Sequence, residues 1–188
     1  MIILYISPGY NAVVSVPGET NLKRGNSIIN RATLPKYFRI SFDLMLEEQK
    51  VIRSWRKILQ ISGEQSSTCS WPELYIHEHT ETKLNHAFKC IRNDADKPYI
   101  FQNENNISIG NWHRIEYTQL PIQNSSFAEL TIIINGKVLH RIINQEAREQ
   151  KNIEVYFGYK PDESNDESTI PEGKIRNFTI EENESGSL

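Results

Sequence analysis

Hydrophobic and polar residues alternate along most of this chain with the period of two that is typical of β-strands. The clearest example is the segment 37–46, in which five large apolar residues share one parity. These residues are Phe38, Ile40, Phe42, Leu44 and Leu46. Arg39, Ser41 and Asp43 lie between them, so the pattern predicts a strand with one face in the core and the other in solvent.

The same reasoning predicts strands along the rest of the chain, and helical periodicity is scarce. The predicted strands are 1–6, 57–62, 73–79, 84–90, 112–119, 130–134, 137–143, 151–159 and 173–181. Asn135 and Gly136 lie between two apolar segments and predict a tight hairpin, because both residue types tolerate positive φ. Short helical turns are expected only within 45–55 and 144–150. Many short strands separated by turns predict an all-β sandwich or barrel.

Length and composition are those of one soluble globular domain. The 188 residues suit a single core, and 38% of them are hydrophobic while 24% are charged. We expect one domain over residues 1–181 and a flexible acidic tail over 182–188. The net charge of −3 argues against nucleic acid as a partner, and no apolar segment approaches the roughly 20 residues of a membrane span. Residues 1–6 are too short for the apolar region of a signal peptide.

Four segments resemble the laminin G-like family of the concanavalin A-like superfamily. Residues 37–44 resemble its early strand of alternating aromatic and small residues, and 110–117 resemble its Gly-x-Trp-His strand start. The hairpin at 130–138 follows, and 173–180 resembles the closing strand of the family. Lys174 occupies a position at which many laminin G domains have a cysteine. Thrombospondin N-terminal domains and pentraxins, which belong to the same superfamily, remain alternatives.

The resemblance implies a jelly roll, in which two curved antiparallel sheets pack face to face as a β-sandwich. Ligands in this superfamily usually bind on the concave face or at the loops of the rim. The fold hosts lectins, glycosidases and adhesion domains, so it does not by itself assign a function.

The sequence lacks the acidic pattern that glycosidases of this fold place on one strand. Such enzymes use two carboxylates on alternate residues as acid and nucleophile. Asp43 is followed by Glu47 and Glu48 only past the predicted strand end, and Glu116 has no acidic residue two positions on. We therefore predict a protein that is not an enzyme, and no catalytic residues are assigned.

The most distinctive local feature is the predicted strand 73–79. On a strand, Tyr75, His77 and His79 would share one face. Tyr75 could stack on a sugar ring while the histidines donate hydrogen bonds. Two imidazoles on one face could also bind a transition metal, with Glu81 or His86 as a third ligand. A solvated strand face without function is the third interpretation.

A basic segment at 50–57 carries four cations and one tryptophan. Arg53, Trp55 and Arg56 lie within it and are candidate ligand-binding residues, because clustered cations bind sulfated glycosaminoglycans. An ordinary charged loop is the alternative interpretation. Trp55 and Trp71 are the two tryptophans expected in loops, where an exposed indole often marks a binding site.

Two acidic loops could hold calcium, which prefers oxygen ligands. Their candidate ligands are Asp94, Asp96, Asp162 and Asp166. Neither loop matches a defined calcium motif, so ordinary solvated loops are the alternative. Calcium is thus a possible cofactor, and the predicted function requires none.

Two signals favour secretion to the extracellular space or the cell surface. Cys69 and Cys90 could form one disulfide, although two buried thiols would have the same sequence. Four N-glycosylation sequons are also present. They begin at Asn106, Asn124, Asn177 and Asn183.

The core is predicted to contain most of the aromatic residues on the strands. These are Phe38, Phe42, Trp112, Tyr117, Phe157 and Phe178.

Together these features predict an extracellular recognition module, lectin-like or adhesion-type, that binds a glycan, a glycosaminoglycan or a protein. The alternatives are a glycoside hydrolase or lyase on the same fold, and a structural domain of a matrix or coat that assembles with copies of itself. No nucleic acid or membrane insertion is expected.

If Cys69 and Cys90 are paired, the bond closes a loop of roughly 20 residues and stabilises the fold by about 3 kcal/mol. We expect the intact mass of the purified protein to rise by two hydrogens on reduction. An unchanged mass would show two thiols instead.

Overall fold

The computed structural model describes residues 10–23, 25, 27–48, 55–63, 70–77, 80, 82–88, 99–104, 106–159 and 171–183. In these residues every regular element is a β-strand, and none is a helix long and apolar enough to cross a membrane. The strands are β1 (Tyr10–Asn21), β2 (Ser27–Leu34), β3 (Phe38–Leu46), β4 (Arg56–Ser62), β5 (Ser70–Ile76), β6 (Leu84–Phe88), β7 (Tyr99–Gln102), β8 (His113–Pro121), β9 (Ala128–Ile134), β10 (Lys137–Asn144), β11 (Gln150–Tyr156) and β12 (Gly173–Asn183).

The strands form two six-stranded sheets, and every neighbouring pair is antiparallel. The first sheet has the order β1-β12-β3-β8-β9-β10, and the second has the order β2-β11-β4-β5-β6-β7. Each sheet turns its apolar side chains toward the other, and one hydrophobic core lies between them. The predicted all-β, two-sheet antiparallel sandwich is confirmed.

The alternation in β3 creates the buried face that the sequence predicts. The five apolar residues of the even-numbered face, Phe38 to Leu46, are at most 1% exposed. Ser41 differs from the prediction, because it lies on the opposite face and is nevertheless buried. Its hydroxyl is 2.7 Å from the Thr179 hydroxyl and accepts a hydrogen bond of 2.6 Å from the Arg114 guanidinium.

An ion-paired network covers this outer side of β3. The Asp43 carboxylate is 3.3 Å from Arg114 and 3.2 Å from Arg176, and it accepts a hydrogen bond of 2.8 Å from the Asn177 amide. Asn177 has a φ of 53° and lies at an irregularity of the β12–β3 register. Around Asp43, the charged and polar side chains on the outer face of the first sheet therefore satisfy one another's hydrogen bonds and charges.

Five of the six aromatic residues predicted for the core are buried, and Trp112 is the exception. Trp112 precedes β8, and its parity is that of Arg114 and Glu116 rather than that of the buried Ile115. Its ring is only half-buried, and the Arg176 guanidinium lies 4.0 Å from its centroid.

Strand ends and the least hydrophobic strands account for most other differences. The sequence does not predict β1, β2 or β7. β1 and β2 lie at sheet edges and bury few side chains, and β7 has only four residues. β12 continues through Asn183, which pairs with Tyr10, so the sandwich extends two residues into the predicted tail. In the segment 144–150 a turn replaces the expected helical turn, and neither 45–48 nor Trp55 is helical. The predicted strand 1–6 lies outside the described residues.

Gly136 and Gly158 both have positive φ, and the backbone is closely packed at Gly158 only. Asn135 and Gly136 have φ values of 51° and 76°, as the predicted hairpin requires. Gly158 has a φ of 109°, and a Cβ placed there would lie 2.7 Å from the Lys23 carbonyl oxygen.

We expect Gly158→Ala to lower the free energy of unfolding by about 3 kcal/mol or more, because a backbone clash adds to the φ strain. Gly110→Ala is the matched control, since Gly110 also has positive φ (72°) but no atom within 4 Å of the added Cβ. It should cost about 1 kcal/mol. Urea denaturation measures both values, and equal losses would contradict the packing argument.

Candidate functional site

The outer face of the second sheet carries the aromatic and histidine residues that the sequence selects. On β5, Leu74 and Ile76 are fully buried in the core. Because strand residues alternate, Glu73 and Tyr75 point away from that core. Tyr75 and His77, which directly follows β5, are half-buried, so they remain partly accessible.

Trp55 joins Tyr75 and His77 in one cluster of rings. Its indole centroid is 5.7 Å from the Tyr75 ring in an edge-to-face arrangement, and it is also 5.7 Å from the His77 ring. The backbone oxygen of Trp55 accepts a hydrogen bond of 2.7 Å from the Tyr159 hydroxyl, which anchors the segment that precedes β4. We call Trp55, Tyr75 and His77 the ring cluster.

A set of buried polar groups lies beside the ring cluster. Lys57 on β4 is opposite Tyr75, and its ammonium is 5.6 Å from the centre of that ring and 4.9 Å from the Tyr159 ring. Lys57 also donates to Gln60 at 2.9 Å and is 4.0 Å from the Glu73 carboxylate. The Tyr75 hydroxyl donates to Glu73.

Asn85 extends these polar groups to the next strand. It is paired with Tyr75 on one side and with Gln102 on the other, so its side chain shares their face. Only 1% of Asn85 is exposed, and among the described residues its amide nitrogen is one of few buried polar atoms without a hydrogen-bond partner. A buried donor without a partner is costly, so its presence here indicates a place where a ligand or a water supplies the acceptor.

The structure separates the members of the predicted basic patch. Trp55 belongs to the ring cluster, but Arg56 is 2% exposed and pairs with the core residue Ile76. Its guanidinium donates to the carbonyl of Thr80. Arg56 is therefore not the exposed surface cation that a basic patch requires, and its contact with a ligand stays a prediction.

Several other candidate residues lie outside the described residues. They are Arg53, His79, Cys69, Cys90, Asp94, Asp96, Asp162 and Asp166. Of the predicted third metal ligands, Glu81 is also outside, and His86 faces the core rather than His77. In the part of the chain that is described, no three His, Cys, Asp or Glu side chains converge as a metal site.

The four sequon asparagines lie on the first sheet or in the loops that lead to it. Asn106, Asn124 and Asn177 are exposed, and Asn183 is half-buried at the end of β12. Their surface positions are compatible with glycans, which remain a prediction.

His86 links the second sheet to the first through the core. The Tyr117 hydroxyl on β8 is 2.8 Å from Nδ1, and the Asn103 side-chain oxygen is 3.0 Å from Nε2. Both contacts are satisfied when Tyr117 donates to Nδ1 and Nε2–H donates to Asn103. Complete burial lowers the pKa of His86 to about 4, so the ring is neutral at pH 7.

A cavity of about 570 Å³ opens where the edge strands β7 and β10 of the two sheets approach one another. We call it the edge cavity. Its lining residues are Phe101, Asn103, Glu104, Asn106, Ile107, His113, Ile134, Asn135, Lys137, Val138, Leu139 and His140. Phe101 and His140 stack in parallel with 4.3 Å between their centroids, and they join the two sheets at this edge.

Several solved structures resemble this sandwich. An endo-β-1,4-glucuronan lyase from the fungus Trichoderma reesei aligns with a TM-score of 0.55 and 15% identity, over 94% of this chain and 77% of the lyase. A heptameric SAP-like pentraxin from Limulus polyphemus aligns with a TM-score of 0.53 and 12% identity, over 88% of this chain and 73% of the pentraxin. The fold is the concanavalin A-like jelly roll.

A third neighbour is the CBM40 module of the Ruminococcus gnavus IT-sialidase, solved with α2,3-sialyllactose. It aligns with a TM-score of 0.53 and 10% identity, over 90% of this chain and 92% of the module. No protein-family model and no curated protein sequence matches the chain. At these identities the concanavalin A-like neighbours establish the fold alone, and they include both binding domains and enzymes.

Sequence reasoning selected Tyr75 and His77 on one face and Trp55 in a separate basic segment. It did not bring Trp55 to the other two rings, and it missed the buried polar groups beside them. Tyr75 and His77 are found from strand parity, because they are close in sequence. Lys57, Glu73 and Asn85 come from three strands, and only the pairing of those strands brings them together. The edge cavity was also missed, since β7 was not predicted.

We expect the low pKa of His86 to make the fold sensitive to acid. The unfolded chain binds a proton at His86 below about pH 6.5, whereas the folded state does so only near pH 4. The free energy of unfolding should therefore have its full value above pH 6.5. Protonation of His86 in the unfolded chain should lower it by about 3 kcal/mol by pH 4. His86→Gln keeps hydrogen bonding but cannot titrate, so its unfolding free energy should fall less steeply over this range.

Denaturation curves from pH 7 to pH 4 for both proteins measure this difference. An NMR titration of the His86 ring provides a direct check, and protonation near pH 6.5 in the folded protein would contradict the assignment.

Proposed function

We propose that this protein is a non-catalytic carbohydrate-recognition domain that binds a glycan on the outer face of its second sheet. The observation that carries the proposal is the juxtaposition of the ring cluster with buried polar side chains, among them the Asn85 amide without a partner. Aromatic rings supply flat apolar area, and fixed polar groups supply direction.

The chemistry of this face suits a sugar better than a simple ion. Tyr75 and Trp55 can lie against the C–H face of a pyranose ring, while His77 offers a ring nitrogen to hydroxyl groups. Lys57 and Glu73 already form an ion pair, so the buried polar groups beside the ring cluster carry no strong net charge. Asn85 provides a donor that a sugar oxygen can satisfy.

The comparisons support this proposal through the fold. One neighbour is a carbohydrate-binding module solved with sialyllactose, and another acts on a glucuronan. We further propose that the domain works outside the cell or at its surface. The four sequons and the Cys69–Cys90 pair are compatible with such a location. Calcium bound by the acidic loops also remains a proposal.

The direct test is binding to a broad array of glycans and glycosaminoglycans, in calcium and again in chelator. We expect a defined set of sugars to bind, and Trp55→Ala and Tyr75→Ala each to weaken binding about tenfold, or about 1.4 kcal/mol, because a stacking ring is lost. Tyr75→Phe keeps the ring and should bind almost normally if stacking dominates.

Phe127→Ala is the matched control, because Phe127 is a partly exposed aromatic residue that precedes the first-sheet strand β9. Its binding should be unchanged. A blank array, or equal losses in Phe127→Ala and Tyr75→Ala, would contradict the proposed face and favour a protein partner or self-assembly. Loss of binding in chelator would add calcium to the proposal.

The contact of Tyr75 with Glu73 favours one second candidate, a polysaccharide lyase or hydrolase. A phenol that is hydrogen-bonded to a carboxylate can transfer protons. The structural neighbours include a polysaccharide lyase. New reducing ends from any glycan on the array, lost in both Tyr75→Phe and Glu73→Gln, would establish an enzyme and overturn the non-catalytic assignment.

A further inference from the structure

We infer that the edge cavity is a second ligand site, which takes a small ring-bearing molecule whose buried end carries a carbonyl or carboxylate oxygen. This site is built by the edges of both sheets, whereas the glycan face is built by the second sheet alone. It does not depend on the proposed glycan function.

The size and walls of the edge cavity fit a small organic ligand. Its volume of about 570 Å³ falls within the range of about 300–1,000 Å³ that is typical of ligand sites. Apolar side chains form much of the lining, with Ile107 and Ile134 buried and Leu139 partly buried. The parallel Phe101 and His140 rings add an aromatic wall.

Two polar residues of the lining already satisfy one another and are not available to a ligand. His113 Nδ1 accepts from the Asn135 amide at 3.1 Å, and His113 Nε2 is 3.1 Å from the Ser108 carbonyl. The Asn135 side-chain oxygen accepts the Arg114 backbone N–H at 2.8 Å. These contacts hold His113 and Asn135 in place at one end of the edge cavity. Polar contacts with a ligand would therefore come from other residues of the lining.

Asn103 is the buried polar residue that points to a ligand. Asn103 is 4% exposed, and its side-chain oxygen is held by His86. The side-chain hydrogen bond of Asn103 engages its oxygen and not its amide nitrogen, so the two N–H groups of that nitrogen remain at the cavity lining. In the tautomer in which Nε2–H of His86 donates, the Asn103 oxygen is the atom held at His86, and the amide NH2 is the group left for a ligand.

Lys137 adds a further donor to the same space, and His140 adds another in the tautomer whose proton lies on Nδ1. Burial lowers the pKa of His140, so its ring is neutral at pH 7. His140 Nε2 is 2.6 Å from the Tyr99 hydroxyl, and when that hydroxyl donates, the proton of the ring lies on Nδ1. Among the described residues of the lining, Lys137 is the one Lys or Arg side chain, and it is exposed. Glu104 and Asn106, which could accept, are exposed at the rim.

In the deeper part of the edge cavity, hydrogen-bond donors that lack an acceptor therefore lie beside an apolar wall. A ligand with an oxygen acceptor on an apolar ring would satisfy these donors, whereas a cationic head group placed there would bring further donors against them. Lys137 should additionally favour a carboxylate over a neutral carbonyl.

Three probes with one phenyl body and different head groups test this inference. They are phenylacetate, phenylacetamide and phenethylamine, measured with the full chain by saturation-transfer NMR. We expect the two oxygen-bearing probes to bind, and phenethylamine to bind at least tenfold more weakly. No binding by any probe, or equal binding by phenethylamine, would overturn the inference.

Matched variants on β10 locate the site. Leu139→Trp fills the cavity and should abolish binding, while Ile143→Trp adds the same side chain at a position that is 56% exposed and outside the lining. Loss of binding in Ile143→Trp as well would overturn the location. Lys137→Met changes only an exposed residue and should weaken phenylacetate about fivefold but leave phenylacetamide unchanged.

Chemical-shift changes of the His140 ring in the unaltered protein provide a measurement that needs no variant to fold. Their absence during titration with phenylacetate would also overturn the inference.

Discussion

The structure depends on one constraint, which is that each strand has two faces and the core between the sheets occupies one of them. Leu74 and Ile76 are committed to that core, so Tyr75 cannot also be. Polar and aromatic residues of the outer faces therefore do not have to fit the apolar core between the sheets. The first sheet uses this freedom for ion pairs around Asp43, and the second places its ring cluster and polar groups there.

The same constraint explains why the edge cavity lies where it does. Side chains can fill the centre of a sandwich from both sheets, but at an edge the two outermost strands must close the gap alone. Phe101 and His140 make that closure by stacking, and Asn103 is tied to the interior through His86 and Tyr117. The interior and the edge are thus joined by hydrogen bonds as well as by apolar contact.

The sequence predicts what repeats with a period of two, and it does so well. β3, the Asn135–Gly136 hairpin and the face that carries Tyr75 and His77 all follow from neighbouring residues. What depends on pairing between distant strands could not be predicted. Arg56 resembles a surface cation in the sequence, yet its pairing with Ile76 turns it inward. Trp112 resembles a core residue, yet it precedes β8 and has the parity of Arg114 and Glu116 rather than that of the buried Ile115.

The pairing of the first and last strands has a mechanical consequence. Tyr10 at the start of β1 is the partner of Asn183 at the end of β12, and the two strands are antiparallel. Tension applied through these two points would load one hydrogen-bonded pair at a time rather than all of them together. β1 would then unzip from the edge of the sheet under a small force, while the strands behind it stay folded.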